Sequence, residues 1–346
     1  MTKNPLSIFK DKSIIITGGT GSFGRAMVMK LLNESDCHKV IILSRDEWKQ
    51  SEMRQSAPVF DDKRIRYFLG DVRDPARLAR AFNEVHFVIH AAALKQVPAA
   101  EYNPSEFIKT NVIGAMNVID AAIDCGVEKV IALSTDKSVN PVNLYGASKL
   151  CSDRLFIAGN AYVGARGYPT MSVVRYGNVL GSRGSVIPYW QRLINSGAKS
   201  LPVTDKRMTR FWITLNQSVD FVINNFNDMR GGEVYVPKIP SMKIEDLANA
   251  MAPGLEHTYT GIREGEKLHE LMVATEDSRH TYEYDNHYMI VPEIYSHNPQ
   301  LVQSYLAGRP GKPLPENFAY CSDTNIRWLS IDDLRRLLPE AKKDAF

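Results

Sequence analysis

The sequence contains little cysteine and no long apolar run. Its four cysteines show no CxxC spacing in a chain of 346 residues, which predicts reduced thiols in a reducing compartment rather than a disulfide framework. No apolar stretch approaches the length of a membrane span. The first twelve residues carry four charged side chains in place of the apolar segment of a secretory leader. These absences predict a cytoplasmic protein without a membrane partner.

Charge of one sign is also scarce. The formal net charge is +3, and no run of basic side chains is present that would follow the phosphates of a nucleic acid, so no nucleic-acid partner is expected. The eight histidines show no metal-ligand spacing with one another or with the cysteines, so no metal is expected. What remains is the composition of a soluble globular protein, with enough apolar residues for one large or two closely fused domains.

Apolar segments that suit strands alternate with amphipathic segments that suit helices through the first half of the chain. The predicted strands are 13–17, 40–43, 65–69, 87–91, 129–134 and 172–176. The predicted helices are 22–33, 47–56, a segment from residue 75, 111–124 and 145–159, with later helices near 215–227 and 244–250. This alternation is typical of βαβ units. It predicts an α/β fold with a doubly wound parallel sheet covered on both faces.

The alternation weakens beyond Asn178, where Gly and Pro separate shorter elements. We interpret this change as a boundary between two interleaved parts. The first is predicted to be a dinucleotide-binding Rossmann domain over 1–178, together with 205–240. The second is a smaller substrate-binding part formed by 179–204 and 241–346.

A glycine-rich turn, TGGTGSFG, follows the first predicted strand and opens the first helix. Its glycines permit a tight turn, close approach of the backbone to a pyrophosphate, and close packing of helix on strand. Three glycines also fit an ordinary turn, but their place at the start of a βαβ series favours a dinucleotide site. The predicted contacts are Gly18, Thr20, Gly21, Ser22, Phe23 and Gly24.

The end of the second predicted strand bears on the choice of cofactor. An acidic residue there would accept a hydrogen bond from the ribose 2′-hydroxyl of NAD, whereas Ser44 and Arg45 can donate to the 2′-phosphate of NADP. Asp46 is a competing signal, unless it pairs with Lys49. The sequence therefore favours NADP, with Asp46, Glu47 and Lys49 as further expected cofactor contacts.

Two further strand ends suit the same ligand. Asp71 and Val72 follow the third predicted strand and suit recognition of adenine. Ala91 follows the fourth, where its small side chain would let a cofactor lie against the backbone. Both segments also fit ordinary strand ends.

Tyr145 and Lys149 are separated by one helical turn in the segment YGASK, so they share one face of the predicted helix. A nearby ammonium stabilises a phenolate and lowers a tyrosine pKa from its ordinary value of about 10. Such a tyrosine can exchange a hydroxyl proton while hydride moves to or from a nicotinamide. The spacing also fits a solvated helix face, but its place after the fifth strand favours catalysis.

Six segments carry a closer resemblance: TGGTGSFG, AAALKQVP, STDKSVNPVNLYGASK, RYGNVLGSRGSVIP, TRFWIT and GIREGEKLHE. Together they resemble the inverting UDP-N-acetylglucosamine 4,6-dehydratases, extended short-chain dehydrogenases/reductases that open the pseudaminic acid pathway. The similarity runs from Asp11 to about Leu338. It implies a homo-oligomer with UDP-N-acetylglucosamine as its substrate.

The segment Ser-Thr-Asp-Lys stands at the end of the fifth predicted strand, where the retaining 4,6-dehydratases have Thr-Asp-Glu. Lys137 therefore replaces the glutamate. The resemblance implies that Tyr145 is the base for the C4 hydroxyl, Lys137 the base at C5, and Asp136 the acid at C6. Asp136 and Lys137 also fit a surface ion pair on a turn.

Lys137 can act as a base only when part of it is neutral. We expect the charge of an oxidised cofactor and of Lys149 to lower its pKa. The implied product is UDP-2-acetamido-2,6-dideoxy-β-L-arabino-hex-4-ulose, in which C5 is inverted relative to the substrate.

The resemblance also implies the remaining contacts. Arg263 is expected on the diphosphate, because a guanidinium binds phosphate oxygens in bidentate fashion; the family pattern has a proline where Glu264 stands. The other implied substrate contacts are Lys95, Asn178, Val186, Thr204, Tyr320, Cys321, Ser322 and Asp323. The other implied cofactor contacts are Lys95, Leu133, Ser134, Tyr145, Lys149, Val179, Leu180, Gly181, Ser182 and Arg183. Arg207 and Arg210 fit either substrate contact or packing.

Several alternatives stay open at this point. Val186 and Thr204 fit packing almost as well as substrate contact. A UDP-sugar C4 epimerase or a retaining dehydratase would use the same scaffold. Lys137 argues against the retaining enzyme, and an epimerase does not need the Asp136–Lys137 pair. A catalytically silent NADP-sensing protein would need the glycines but not Tyr145.

Overall fold

The computed structural model describes residues 4–182, 184–295 and 298–343. Its strands are β1 Ser13–Thr17, β2 Lys39–Ser44, β3 Ile65–Leu69, β4 Phe87–His90, β5 Lys129–Thr135, β6 Thr170–Tyr176, β7 Asn178–Val179, β8 Ser200–Val203, β9 Thr209–Ile213, β10 Val234–Pro237, β11 Ser241–Lys243, β12 Glu256–Tyr259, β13 Leu271–Val273, β14 Thr281–Glu283, β15 His287–Ile290, β16 Lys312–Pro313 and β17 Tyr320–Cys321. Its α-helices are α1 Ser22–Glu34, α2 Glu47–Ser56, α3 Pro75–Ala81, α4 Val97–Tyr102, α5 Pro104–Phe107, α6 Gly114–Asp124, α7 Leu144–Gly159, α8 Val186–Asn195, α9 Leu215–Asp228, α10 Ile244–Met251, α11 Pro299–Leu306 and α12 Ile331–Lys343.

A ten-stranded sheet in the order β16-β14-β15-β10-β6-β5-β4-β1-β2-β3 organises the chain. From β3 through β10 every neighbouring pair is parallel, whereas β15, β14 and β16 pair antiparallel at one end. The strand order reverses between β1 and β4, and ligands of open α/β sheets bind in the crevice at such a point. This arrangement confirms the predicted doubly wound α/β fold.

Branched side chains explain why the central strands lie where they do. Ile14, Ile15 and Ile16 of β1 are completely buried, as are all four residues of β4. A strand buried on both faces needs helices on both, which is the usual setting of a parallel sheet. The helices pack in two groups, α1 with α9 and α3 with α6 and α7.

A second, smaller core lies beside the sheet. Trp190 of α8 and Trp212 of β9 pack there with Leu247 of α10 and Leu334 of α12. Strands β14 to β16 lie in the chain between α10 and α12 of this core, yet they belong to the large sheet. The predicted division into a dinucleotide-binding and a substrate-binding part stays a prediction.

Within the described residues, none of the helices combines the length and the apolar character needed to cross a membrane.

Candidate active site

A cavity of about 540 Å³ opens along the carboxyl ends of the central strands, beside the β1–β4 reversal. Most of the predicted site residues line it. They are Gly18, Thr20, Gly21, Ser22, Phe23, Gly24, Ser44, Arg45, Asp46, Lys49, Val72, Ala91, Lys95, Leu133, Ser134, Lys137, Tyr145, Lys149, Asn178, Val179 and Ser182. Arg183 lies outside the described residues.

The glycine-rich turn is built as the sequence requires. Gly18 has a φ of 69°, and a Cβ on it would lie 2.8 Å from the Ala92 backbone, so only glycine brings β1 and the end of β4 this close. Gly21 is the N-cap of α1 and provides no side-chain cap. The first amides of α1 therefore keep their hydrogen-bonding capacity for an anion at the helix N-terminus.

The residues at the end of β2 and just after it make different contacts. Asp46 caps α2 by accepting from the Lys49 amide at 3.1 Å, and it pairs with the Lys49 ammonium at 3.2 Å. These bonds from Lys49 lower the pKa of Asp46. Arg45 is half exposed, and its nearest carboxylate, that of Asp71, lies 3.7 Å away. Ser44 and Arg45 are thus the donors that this strand end offers to a ligand.

Helix α7 positions Tyr145 and Lys149, which are both buried and both line the cavity. The Asn143 side chain caps the helix by accepting from the Gly146 amide at 2.8 Å. A Cβ on Gly146 would lie only 2.1 Å from the Lys137 carbonyl oxygen. The glycine of the YGASK segment therefore lets α7 pack directly against the turn that carries Lys137.

The electrostatics at Tyr145 differ from the expectation. Burial raises its pKa to about 12, while the Lys137 ammonium and a hydrogen bond with the Thr135 hydroxyl act in the opposite direction. The expected lowering by Lys149 is therefore wrong, because burial dominates and the cation that lowers the pKa of Tyr145 is Lys137. Burial also lowers the pKa of Lys149.

Lys137 lies among acceptors at the end of β5. Its ammonium is 3.0 Å from Asp136 Oδ1, 3.3 Å from Glu270 Oε1 and 3.5 Å from Asn178 Oδ1. Burial lowers the pKa of Lys137, but the two carboxylates outweigh burial and hold it above its ordinary value of 10.5. The protein's own groups therefore raise this pKa, and the lowering expected from an oxidised cofactor stays a prediction.

Asp136 does not line the cavity itself, although it is fully buried beside Lys137. Its Oδ1 accepts from the Thr135 hydroxyl at 2.9 Å and pairs with the Lys137 ammonium. Its Oδ2 has no hydrogen-bond partner among the described residues. The carboxyl group thus keeps one oxygen for a further interaction.

A buried polar network that the sequence analysis missed supports this turn. The Asp153 carboxylate accepts from the Ser134 hydroxyl at 2.6 Å and from the Ser138 hydroxyl at 3.1 Å. Arg175 on β6 lies 3.6 Å from the same carboxylate. The YxxxK spacing identifies only Tyr145 and Lys149 on α7. Asp153 lies one turn beyond Lys149, and its hydrogen bonds hold the end of β5 in place.

Several predicted contacts are not among the residues that line the cavity. These are Glu47, Asp71, Leu180, Gly181, Val186, Thr204, Arg263, Tyr320, Cys321, Ser322 and Asp323. Leu180 and Val186 pack in the smaller core, and the Tyr320 hydroxyl exchanges hydrogen bonds with the Ile239 backbone. Arg263 is exposed and pairs with Glu266. Their proposed roles toward a ligand stay predictions.

Arg207 and Arg210, which fit either substrate contact or packing, differ in their surroundings. Arg210 is buried and donates to the carbonyl oxygens of Thr209, Leu268 and Lys267, so it packs the segment before β13. Arg207 is exposed and pairs with Asp205 at 2.8 Å.

His90 behaves as a core residue rather than a base. Its Nδ1 lies 2.9 Å from the Thr17 hydroxyl, and burial lowers its pKa to about 3, so the ring is neutral at physiological pH. In the part of the chain that the structure describes, no three His, Cys, Asp or Glu side chains are grouped to hold a metal ion.

Comparison with known proteins decides the family. The profile of the family described as "Polysaccharide biosynthesis protein" matches residues 14–292. The chain is 54% identical over 332 residues to the UDP-N-acetylglucosamine 4,6-dehydratase (inverting) of Campylobacter jejuni, covering 96% of this chain and 98% of that protein. The chain belongs to the polysaccharide biosynthesis family.

Other members of the polysaccharide biosynthesis family and their structural neighbours share the scaffold. The chain is 43% identical over 338 residues to a UDP-glucose 4-epimerase of Rickettsia prowazekii, covering 96% of each. It superimposes on the X-ray structure of Pen from Bacillus thuringiensis with a TM-score of 0.84 at 33% identity, over 96% of this chain and 99% of that one. The predicted placement among extended short-chain dehydrogenases/reductases is confirmed.

Proposed function

We propose that the protein is a UDP-N-acetylglucosamine 4,6-dehydratase that inverts C5. The observation that carries the proposal is the Asp136–Lys137 pair, which lies at the end of β5 beside the cavity that Tyr145 also lines. Two proton-transfer groups at the end of β5 and a third on α7 suit a reaction with three proton transfers. The Campylobacter relative, which is 54% identical over nearly the whole chain, is named an inverting UDP-N-acetylglucosamine 4,6-dehydratase.

The cavity suits a nicotinamide dinucleotide. The uncapped N-terminus of α1 suits a pyrophosphate, and the Thr110 and Ser185 hydroxyls line the cavity as buried groups without partners among the described residues. When bound, the dinucleotide supplies a hydride acceptor for C4 and a hydride donor for C6. Lys149 would hold its ribose, and Ser44 and Arg45 would hold a 2′-phosphate, so NADP is the proposed cofactor.

The side chains of this chain would move the protons. Tyr145 accepts the C4 hydroxyl proton, and the resulting ketone makes the C5 proton acidic. Lys137 removes that proton, and Asp136 protonates the leaving C6 hydroxyl. A raised pKa means that the Tyr145 phenol and the Lys137 ammonium both hold their protons firmly, so the first step needs a positive charge beside the phenol.

The proposed substrate contacts fall into two sets. Lys95 and Asn178 line the cavity and suit the hexose and its phosphates. Arg263 remains the proposed diphosphate contact on the exposed segment before Lys267. Homo-oligomeric assembly, a cytoplasmic location and a place in pseudaminic acid synthesis are further proposals that follow from the resemblance.

A C4 epimerase is the second candidate, favoured by the Rickettsia relative of that name. An epimerase needs Tyr145 but no acid and base for C5 and C6. Incubation with UDP-N-acetylglucosamine, followed by NMR, separates the two. A 4-keto-6-deoxy sugar supports the dehydratase, and UDP-N-acetylgalactosamine supports the epimerase.

Arg45→Ala should weaken binding of NADP about tenfold to a hundredfold, because a charge-assisted contact contributes about 1.5–3 kcal/mol. Binding of NAD should change little, since NAD lacks the 2′-phosphate. Fluorescence titration with both dinucleotides measures the difference. Arg54→Ala, which removes an exposed arginine of α2 paired with Asp61, is the matched control. Equal losses for both dinucleotides would contradict the assignment of Arg45.

A further inference from the structure

Glu270 takes no part in the proposed proton transfers, yet its carboxylate lies 3.3 Å from the ammonium of Lys137, the proposed C5 base. We propose that Glu270 is a positioning residue that, together with Asp136, clamps the Lys137 ammonium between two carboxylates and sets the pH range in which Lys137 accepts the C5 proton. The second half of this proposal rests on the proposed function.

Three oxygens lie within 3.5 Å of the Lys137 ammonium. The ammonium donates hydrogen bonds to Asp136 Oδ1 and Asn178 Oδ1, and it forms an ion pair with Glu270 Oε1 at 3.3 Å. The two carboxylates are almost completely buried, whereas about a quarter of the Lys137 side chain is exposed toward the cavity. Buried carboxylates attract an ammonium more strongly than exposed ones, because water screens them less.

The fold holds Glu270 rigidly in this place. Its amide donates to the Ser322 hydroxyl at 2.9 Å, and its carbonyl accepts from the Ser322 amide at 2.8 Å. Arg210 lies 3.6 Å from Oε1, the same oxygen that faces Lys137. The other oxygen, Oε2, has no hydrogen-bond partner among the described residues. Glu270 is thus anchored through its backbone and directed at Lys137 through one oxygen.

Other charged groups also influence the pKa of Lys137: negative groups raise it and positive groups lower it. Asp136, Glu270 and Tyr145 favour the ammonium, and Arg210 disfavours it. Burial opposes the charge, but the carboxylates prevail and raise the pKa of Lys137. Lys95 and Lys267 are the further cations that interact with it. Of the two carboxylates, only Glu270 can be altered without touching the proposed acid.

The consequence for the reaction follows from proton balance. Before the C5 step, the ammonium releases one proton to water. The C5–H bond then breaks, its electron pair stays on the sugar as an enolate, and a new N–H bond forms on the neutral amine. Because Glu270 stabilises the ammonium, the fraction of neutral amine grows only at higher pH. Removing the charge of Glu270 should move this rise to lower pH.

Glu270→Gln tests the clamp with little change in shape. The rising limb of C5 deuterium incorporation against pH should move down by about one to three pH units, the usual effect of one close opposite charge. Glu270→Asp, which draws the carboxylate back, should give a smaller shift in the same direction and serves as the second variant if Glu270→Gln does not fold. Glu276→Gln, an exposed site six residues further on, should leave the limb in place.

An NMR titration of the ¹⁵N-labelled lysine side chains, with Lys137 assigned by its loss in Lys137→Arg, tests the clamp without any substrate. In folded Glu270→Gln the Lys137 signal should titrate at lower pH than in the unaltered protein. An unchanged titration would overturn the clamp. A shifted titration with an unchanged exchange limb would overturn its role at C5. If the unaltered protein forms no 4-keto-6-deoxy sugar, the proposed function fails, and the titration still decides the clamp.

Discussion

Tyr145→Phe should reduce turnover of UDP-N-acetylglucosamine by about 10²–10⁴-fold, the range that a positioned acid–base group contributes. The ring keeps its packing, and only the hydroxyl that accepts the C4 proton is removed. Substrate and cofactor should therefore still bind, and mixing them should produce no reduced nicotinamide absorbance. Steady-state rates and single-turnover absorbance measure the two effects.

The matched control for this variant is Tyr162→Phe, which removes a hydroxyl from an exposed tyrosine just beyond α7. Its rate should equal that of the unaltered protein. Near-normal turnover of Tyr145→Phe would show that Tyr145 is a bystander. Loss of binding together with turnover would indicate damage to the cavity instead of the removal of a proton acceptor.

Lys137→Ala should stop exchange of the C5 proton by a similar factor, about 10²–10⁴-fold, while oxidation at C4 continues. It also leaves the buried Asp136 carboxylate without its paired cation and leaves Glu270 with only its Arg210 ion pair among the described residues, and breaking a buried pair typically costs about 3–5 kcal/mol. Lys137→Arg separates the two effects, because arginine keeps the charge but stays protonated and cannot act as a base. Thermal unfolding and C5 deuterium incorporation are the measurements.

Lys137→Arg should therefore remain folded and fail to exchange C5, with reduced nicotinamide still forming on mixing. The exposed Lys206→Ala should behave as the unaltered protein. Rapid C5 exchange by Lys137→Arg would show that another group is the base. Loss of the C4 oxidation as well would place Lys137 in the first step instead of the second.

Much of the nucleotide-binding fold could be predicted from local patterns. Strands β1 and β3 and helix α2 have the predicted bounds, because the isoleucine run of β1, the largely apolar sequence of β3 and a capping Asp46 mark them locally. The glycine pattern of the first turn also predicted close backbone packing there. A Cβ on Gly18 or on Gly24 would collide with backbone atoms.

The secondary structure was harder to predict after residue 178, because Pro and Gly there suggested breaks between elements. Helix α8 begins at Val186, within a segment interpreted as punctuation between elements. Pro188 lies in its first turn, a position where the missing N–H costs nothing because that amide has no partner in a helix. The proline therefore marks the start of a helix rather than a break.

The electrostatics of the site could not be predicted, because they depend on contacts between distant parts of the chain. Glu270 stands in the segment GIREGEKLHE that supported the resemblance, yet nothing local shows that β13 brings it to Lys137. Burial of Tyr145 likewise depends on how α7 packs, and burial reversed the expected direction of its pKa. Sequence patterns indicated the candidate groups of the site but not their electrostatic surroundings.

The central claim is inversion at C5, and the product made in deuterated water tests it most directly. Freshly prepared protein with NADP and UDP-N-acetylglucosamine should give the L-arabino 4-keto-6-deoxy sugar, with solvent deuterium at C5. Time-resolved NMR from the first minutes identifies the initial product before any slower change. An initial D-xylo product, with C5 retained, would contradict the inverting assignment and the role proposed for Lys137.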